Sequence, residues 1–312
     1  PDAGRPADGR ISLHLAGKRG RLGNTKPMAN QRTLKPAAAK TGGVFDWPVC
    51  YEAERLIGAC IESFLLRNSF ARRLAERMKD ETGTDFFEWV DHLVLSPDHA
   101  RLLRAAGFER ERGEAPRGTT VMWHPRAMLP RVLLRAGGGG GGVPSVLAIK
   151  PEHLADFLAA QDLDAVIEGT VGARFRRASV SVENRTQLVA VERLGYRGFV
   201  GREPTAKFLR GVLQARESWR TRKRDFGPDA DGVKHAFDRL GAVLRVVDRD
   251  AACGLFFAEE RRFWEMRNRA GRVQKRRQDS LGLGWGNHDH HTFRSSRAHF
   301  ADLNEFLRRL GF

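Results

Sequence analysis

Residues 89–108 have the sequence WVDHLVLSPDHARLLRAAGF, and this stretch decides the fold. Its first seven residues, WVDHLVL (89–95), form a short apolar run that predicts a β-strand. Pro97 suits the first turn of a helix that turns its paired leucines inward, and Gly107 ends that helix because glycine readily adopts the left-handed conformation. The stretch therefore predicts a strand followed at once by a short helix.

Three further strands are predicted after this helix. They are separated by turns that contain glycine or proline, and their sequences are FERER (108–112), TTVMWH (119–124) and MLPRVLL (128–134). The strand, the helix and these three strands together make a β-α-β-β-β unit.

The same order of elements recurs after six glycines at residues 137–142, which we expect to act as a flexible linker. A second helix is predicted to start at Pro151. The strands around it are VLAIK (146–150), DAVIEG (164–169), ARFRRASVSVEN (173–184) and TQLVAVERLGY (186–196). The sequence therefore predicts an α+β protein built from tandem β-α-β-β-β units with helical insertions.

The predicted organisation has five parts. Residues 1–43 hold nine Lys and Arg, two Asp and little that could form a core, so we expect a disordered basic leader. A helical segment at 44–85 precedes the paired units at 86–200. A basic helical insertion at 201–280 follows them, and residues 281–312 begin a further unit that stops early.

The composition excludes some classes of protein. The chain has 312 residues, with 54 Lys and Arg against 38 Asp and Glu, for a net charge of +16, so it is not an acidic solvating protein. Cys50, Cys60 and Cys253 suit neither a disulfide framework nor a zinc knuckle, and we predict reduced thiols in the cytoplasm. No apolar run approaches the roughly 18 residues of a transmembrane helix, so no membrane partner is expected.

The C-terminal sequence NHDHHTFRSSRAHFADLNEFLRRLGF (287–312) can be aligned with residues 90–108. Each contains Asp-His, then a short strand, a helix and Gly-Phe. The alignment makes His92 and His290 equivalent, each at the start of the first strand of a unit. The three remaining strands of this last unit are absent.

A first strand that begins with His, a helix closed by Gly-Phe and three more strands, repeated in tandem, resemble the vicinal oxygen chelate superfamily. Glyoxalases and extradiol dioxygenases belong to that superfamily. The resemblance covers residues of about 86–200 and again 288–312. It implies that the paired units form cupped mixed sheets.

The resemblance also implies one divalent metal, Fe, Mn or Zn, held by His from first strands and Glu from last strands. His92 and His290 match the first-strand position, and Glu192 in LVAVERLGY matches the last-strand position. The pattern departs from the family in two places. The second unit begins with VLAIK and has no histidine there, and the third unit has no last strand.

The cluster NHDHH indicates metal chemistry independently. Side chains alternate along a strand, so His288 and His290 would face one way and could join a carboxylate in a two-His-one-carboxylate site for Fe(II). Asp289 would then orient a neighbouring imidazole. Arg294, with Arg297, could bind a substrate carboxylate because guanidinium matches carboxylate geometry. The alternative is that NHDHH is a polar loop without a ligand.

Three functions stay open at this point. The first is a non-haem metal enzyme, a dioxygenase or lyase that acts on a small oxo-acid or other carboxylate, although the early stop predicts that this chain is inactive. The second is a basic nucleic-acid-associated protein, because residues 205–279 are rich in arginine and a long basic helix is predicted at 256–278. The third is a non-catalytic scaffold whose metal site is incomplete.

Overall fold

The computed structural model describes residues 14–15, 50–113, 115–288 and 291–312 of the chain. The predicted disordered leader, apart from residues 14–15, lies outside the described residues. None of the helices within these ranges combines enough length with enough apolar character to cross a lipid bilayer.

The strands in these ranges are β1 (His14–Leu15), β2 (Val90–Leu95), β3 (Glu109–Arg110), β4 (Thr119–Trp123), β5 (Arg131–Arg135), β6 (Val146–Ile149), β7 (Ile167–Glu168), β8 (Phe175–Glu183), β9 (Thr186–Arg193) and β10 (His291–Thr292). The α-helices are α1 (Tyr51–Leu65), α2 (Ser69–Arg77), α3 (Ala100–Ala105), α4 (Leu154–Ala160), α5 (Ala206–Arg220), α6 (Asp229–Leu244), α7 (Arg249–Glu265), α8 (Arg269–Asp279) and α9 (Phe300–Leu310). Shorter π or 3-10 segments occupy Met78–Thr82, Phe86–Trp89, Pro97–His99 and Arg297–His299.

Eight strands form one mixed sheet in the order β3-β4-β5-β2-β6-β9-β8-β7. The first unit is β2-α3-β3-β4-β5 and the second is β6-α4-β7-β8-β9, so the predicted tandem β-α-β-β-β order is confirmed. In each unit the first strand pairs in parallel with the last, β2 with β5 and β6 with β9. The protein therefore has the predicted α+β fold, with an open eight-stranded sheet.

The two units meet at their first strands. β2 and β6 are antiparallel, and Leu93 lies opposite Leu147 at the centre of the sheet. Pro97 and Pro151 occur at matching positions just after these strands. Counting back from the two prolines, Val146 of the second unit corresponds to His92 of the first.

The main hydrophobic core lies on one face of the sheet. Leu93 and Leu147 point to this face, where α1 to α4 cover them with large side chains such as Phe64 and Phe157. Trp89 is also almost fully buried in this core. The opposite face is concave and is not covered by these helices, and we call it the cup.

The glycine run at residues 137–142 packs against the first unit. The Ser96 N–H donates to the Gly139 carbonyl at 3.0 Å, and the Gly142 N–H donates to His99 Nε2 at 3.1 Å. A Cβ on Gly139 would overlap the carbonyl of Val143. The prediction of a flexible linker is therefore wrong, because glycine is needed here for close approach of two main-chain segments.

Gly139→Ala is expected to lower the free energy of unfolding by about 1–3 kcal/mol or more, since a main-chain segment must move to admit the methyl group. Urea denaturation followed by circular dichroism measures the change. Gly140→Ala is the matched control, because a Cβ at Gly140 meets no atom within 4 Å. Equal destabilisation by the two variants would contradict the close-packing explanation.

Helices α5, α6, α7 and α9 share a second hydrophobic core. Its large members are Trp219, Leu240, Phe256 and Phe306. The predicted helix over 256–278 is interrupted, because α7 ends at Glu265 and α8 begins at Arg269. Asn268 caps α8 by accepting the Gly271 N–H at 3.0 Å, and an N-cap residue has non-helical dihedrals.

The C-terminal piece follows the expected order of a short strand, a 3-10 turn and a helix. Its strand β10 pairs with β1 in a separate two-stranded sheet. Its helix α9 packs on α7 and adds Phe306 and Leu310 to the second core. The described part of this piece therefore contacts the helices and leaves the eight-stranded sheet unextended.

Candidate functional site

The cup holds a cavity of about 240 Å³ between the two units. Its wall combines apolar side chains with one histidine, two arginines, one glutamate and three neutral polar side chains. Residues that line it include His92, Leu133, Arg135, Val146, Arg177 and Phe199. A cavity of this size that also carries positive charge can accept a small anion.

His92, which lines the cavity, forms a hydrogen-bonded pair with Asp91. The pairing of β2 with β6 shifts register between Val90 and His92, so Asp91 occupies a bulge. Successive side chains on a regular strand point to opposite faces, but this bulge brings those of Asp91 and His92 together, with His92 Nδ1 2.7 Å from Asp91 Oδ2. No described residue bonds His92 Nε2, which is left free to accept a proton from the cavity side.

Burial and charge fix the protonation of this pair. Burial lowers the pKa of His92, and the neighbouring Asp91 offsets only part of that effect. Burial raises the pKa of Asp91, but Arg193 and the His92 hydrogen bond outweigh burial and hold it well below its usual range. Asp91 is therefore a carboxylate that accepts the Nδ1–H of a neutral His92.

Arg193 holds this pair in place. Its Nε and Nη2 donate to the two oxygens of Asp91 at 2.6 and 2.9 Å. Its Nη1 donates to the carbonyls of Tyr196 and Gly198 at 3.0 and 2.5 Å.

The guanidinium of Arg193 also contacts an aromatic ring. It lies 4.8 Å from the ring centroid of Phe199, and Phe199 meets the His92 ring edge-on with 5.0 Å between ring centroids. Arg193 therefore fixes both Asp91 and the loop that covers His92.

The segment GLGWGNH, residues 282–288, brings a second histidine to this region. The main-chain N–H of Trp285 donates to Glu152 Oε2 at 2.9 Å. The main-chain N–H of His288 donates to the Glu88 carbonyl at 2.8 Å. Burial lowers the pKa of His288; the nearby Lys150 lowers it further, and Asp91 raises it. His288 and His92 thus both lie in the electrostatic field of Asp91.

The other predicted site residues are placed elsewhere. Glu192 lies on the core face of the sheet, where it accepts the Leu154 N–H at the start of α4 at 2.8 Å and binds Arg176 at 3.3 Å. Arg294 is exposed in the turn after β10. His290 lies outside the described residues. The structure therefore brings His92 and His288 to one region and puts Glu192 on the opposite face.

The metal ligands implied by the vicinal oxygen chelate resemblance do not assemble among the described residues. No group of three or more His, Cys, Asp or Glu side chains in this part of the chain could hold a metal ion. The strands that flank the centre of the cup present His92, Leu133, Val146 and Val189 to the cavity. Three of these four side chains are apolar, so these strand positions supply one nitrogen ligand, from His92.

Asp91 and Arg193 were not predicted as site residues. Regular alternation along a strand would send Asp91 away from His92, and only the bulge reverses this. The family resemblance implies the neighbouring Glu192 in β9 instead. A weak signal was present, since Asp precedes His both here and at residues 289–290.

The chain matches no protein-family profile and no curated protein sequence. Solved structures that resemble it include a protein from Shewanella frigidimarina that is provisionally named a hydrolase, at a TM-score of 0.36 and 11% identity over 48% of this chain and 98% of that one. They also include a glyoxalase I variant from Zea mays, at a TM-score of 0.26 and 12% identity over 35% of this chain and 44% of that one. Neither likeness assigns a function or a metal to this chain.

The stability of the protein is expected to decrease as the pH falls through about 6.5, the unfolded pKa of histidine. Because the pKa of His92 is lower in the folded state, the unfolded chain binds more protons in the window below this value. Asp91 opposes the shift, and Arg193 and Arg177 add to it. His92→Gln should flatten the slope of unfolding free energy against pH, measured by urea denaturation between about pH 8 and pH 5.

His288 and His235 also have lowered pKa values, so part of the slope should persist in the His92 variant. Asp91 titrates below about pH 3.9 and contributes nothing in this window. An unchanged slope in His92→Gln would show that His92 is not buried in its neutral form.

Proposed function

We propose that the cup binds a small organic anion and that His92 removes a proton from it. The observation that carries this proposal is the Asp91–His92 pair, whose imidazole lines a cavity that also contains two guanidinium groups. The reaction class is acid–base chemistry on a carboxylate or oxo-acid, of the lyase or isomerase kind.

The charge of the cavity supports an anionic ligand. Arg177 and Arg135 both line it, and Arg177 is partly neutralised by Glu168 at 2.7 Å. Arg135 is exposed and forms no ion pair with the described residues. Its guanidinium can therefore bind a carboxylate through two parallel hydrogen bonds. The apolar side chains around it suit the carbon skeleton of a small acid.

The proton transfer follows from the hydrogen bonds of His92. Asp91 accepts the Nδ1–H, fixes the tautomer and presents Nε2 as the base. When Nε2 takes a proton from the carbon next to a carbonyl, the imidazole becomes a cation beside the Asp91 carboxylate. Arg135 lies four residues further along β5 than Arg131, the residue paired with His92, so its role is to bind the carboxylate end of the substrate while the new imidazolium lies beside the developing negative charge.

Membership of the vicinal oxygen chelate superfamily is part of this proposal, and the arrangement of two units around one cup supports it. The resemblance implies a dioxygenase or a lyase. A lyase reaction that begins with proton abstraction needs only the residues present in the cup. The divalent metal site predicted from His290, His288, His92 and Glu192 stays a prediction for the three histidines, because Glu192 lies on the core face of the sheet. So do the substrate role of Arg294 and a cytoplasmic location.

Exchange of substrate hydrogen for deuterium tests the proposal. The protein is incubated in D₂O with a panel of small 2-oxo acids and other carboxylates, and the loss of the carbon-bound proton signal is followed by NMR. We expect exchange that His92→Gln slows by about 100-fold or more, as for loss of a general base. Exchange at the wild-type rate in His92→Gln would refute the role of His92.

A chelator distinguishes the metal-dependent alternative. Exchange that persists in EDTA supports the proposed route. Exchange that EDTA abolishes and Mn²⁺ restores would favour the metal site, and elemental analysis of the protein beside His288→Ala would then identify its ligands.

Arg135→Gln is expected to weaken binding of the same carboxylates by roughly 10- to 100-fold, because hydrogen bonds to charged groups contribute about 1.5–3 kcal/mol. Isothermal titration calorimetry measures the dissociation constant. Arg210→Gln, on the exposed side of α5, is the matched control for loss of one charge. The same loss of affinity in both variants would contradict a specific contact at Arg135.

A further inference from the structure

The exposed surface of α8 and the end of α7 is built from arginines. We call it the arginine face, and all of its members are exposed: Arg262, Arg267, Arg269, Arg272, Arg276 and Arg277. Within the described residues none of them forms an ion pair. The face therefore keeps its full positive charge.

The carboxylates of the same helices are bound to other groups. Glu260 is paired with Arg222 and Arg224, each at 2.8 Å. Glu265 accepts the indole N–H of Trp285 at 3.0 Å, and Asp279 is paired with Lys275. Because these acidic groups are already bound, none of them neutralises the arginine face.

On helices α6 and α9, exposed basic side chains are paired with carboxylates of the same helix. Lys234 lies 2.8 Å from Asp238 on α6. On α9, Arg308 and Arg309 both bind Glu305, at 2.7 and 2.9 Å. Such pairs one turn apart are the usual way in which an exposed helix balances its charge. On α8, Arg269, Arg272 and Arg276 have no such partner.

The packing of α8 orients these arginines. Gln274 donates to the Thr82 carbonyl at 3.0 Å, and Gly271 and Gln278 are buried on the same side. Arg269 and Arg276 project from the opposite side, about 10 Å apart along the helix axis at 1.5 Å per residue. The guanidinium groups therefore form a row along the exposed side of the helix.

Two guanidinium groups, one in the turn between the helices and one in the first turn of α8, are held in place. Arg267 donates to the Phe263 carbonyl at 3.1 Å and lies 3.6 Å from the Phe263 ring centroid. Arg272 donates to the Met266 carbonyl at 2.7 Å. Groups fixed in this way lose less conformational entropy when they bind a ligand.

We propose that the arginine face binds the phosphate backbone of a nucleic acid. Guanidinium forms paired hydrogen bonds with phosphate, and a row of uncompensated charges matches the repeated charges of a polynucleotide strand. A membrane surface fits less well, because the exposed side of α8 carries no large apolar residue that could enter the lipid. Binding of this kind is independent of base sequence and of the cup.

Fluorescence anisotropy with a labelled DNA duplex and the matching single strand tests the proposal. Affinity should fall as salt rises from about 50 to 200 mM. In the triple variant Arg269→Gln, Arg272→Gln, Arg276→Gln, the slope of log K against log salt should decrease by up to about 2.7, at roughly 0.9 per lost contact. Circular dichroism confirms that the variant folds, and Arg276→Gln with Arg277→Gln replaces it if it does not.

The matched control removes the same charge from paired positions. It is the triple variant Lys234→Gln, Arg308→Gln, Arg309→Gln, which should retain nearly all of the affinity and the slope. Equal losses in the two triple variants would overturn the proposal, because binding would then depend on net charge alone. Absence of salt-dependent binding, or binding only to phosphatidylserine vesicles, would overturn it as well.

Discussion

Arg193→Met is expected to lower the free energy of unfolding by about 3–5 kcal/mol, the cost of leaving one partner of a buried ion pair without the other. Arg193 and Asp91 have only 12% and 9% of their side-chain surfaces exposed. The variant also frees the Tyr196 and Gly198 carbonyls and the loop that carries Phe199. Urea denaturation gives the stability, and deuterium exchange of the substrate should be lost at the same time.

Two control variants separate the effect of an unpaired buried charge from the effect of losing any ion pair. Asp91→Asn combined with Arg193→Met removes the unpaired charge and should recover part of the lost stability, although not the orientation of His92. Arg55→Met breaks an exposed pair with Glu52, whose side chain is 74% exposed, and should change stability by no more than about 1 kcal/mol. A small effect of Arg193→Met, similar to that of Arg55→Met, would show that Asp91 is not held as a buried carboxylate.

Trp219→Ala is expected to destabilise the protein by about 3–5 kcal/mol, because the side chain is fully buried at the centre of the second core. It packs edge-on against Phe256 and Phe306, with ring centroids 5.1 and 6.3 Å away. Intrinsic fluorescence and circular dichroism during urea denaturation report the loss.

Trp219→Phe is the matched variant. The indole Nε1–H is buried and meets no hydrogen-bond partner in the described residues. Phenylalanine removes this unpaired donor and leaves a smaller cavity than alanine, so the cost should be below about 1.5 kcal/mol. Similar losses in the two variants would indicate that the indole N–H is satisfied by a group outside these residues.

The two units could be predicted from the sequence because each of their elements has a local signal. Strands with apolar residues alternate with turns that contain glycine or proline, and Pro97 and Pro151 mark the start of the same helix in both units. The helix of each unit then covers the apolar face of its strands. The α+β class and the order of elements along the chain thus follow from short stretches of sequence.

The faces of individual strands were harder to predict. In β9, residues 188–191 are all apolar, so the alternation that would assign Glu192 and Arg193 to opposite faces is hidden. The core face is fixed by α4, whose N-terminus Glu192 caps. The position of Asp91 depends likewise on the register of β2 against β6, which is a long-range contact.

The break between α7 and α8 could have been predicted. Asparagine is among the preferred N-cap residues, and Asn268 lies within the predicted helix. The basic periodicity on both sides of Asn268 concealed this signal. The close packing of Gly139 had no such local marker, because a run of glycines also suits a free linker.

The meeting of the two units at β2 and β6 has a stereochemical consequence. The backbone of the cup repeats itself, so its two walls alone would admit a ligand in either of two reversed orientations. His92 on one wall and Val146 at the matching place on the other remove that equivalence. Under the proposed acid–base function, a substrate with two chemically similar ends therefore turns one of them toward the imidazole, and we expect exchange of only one of the two mirror-related hydrogens on its reacting carbon.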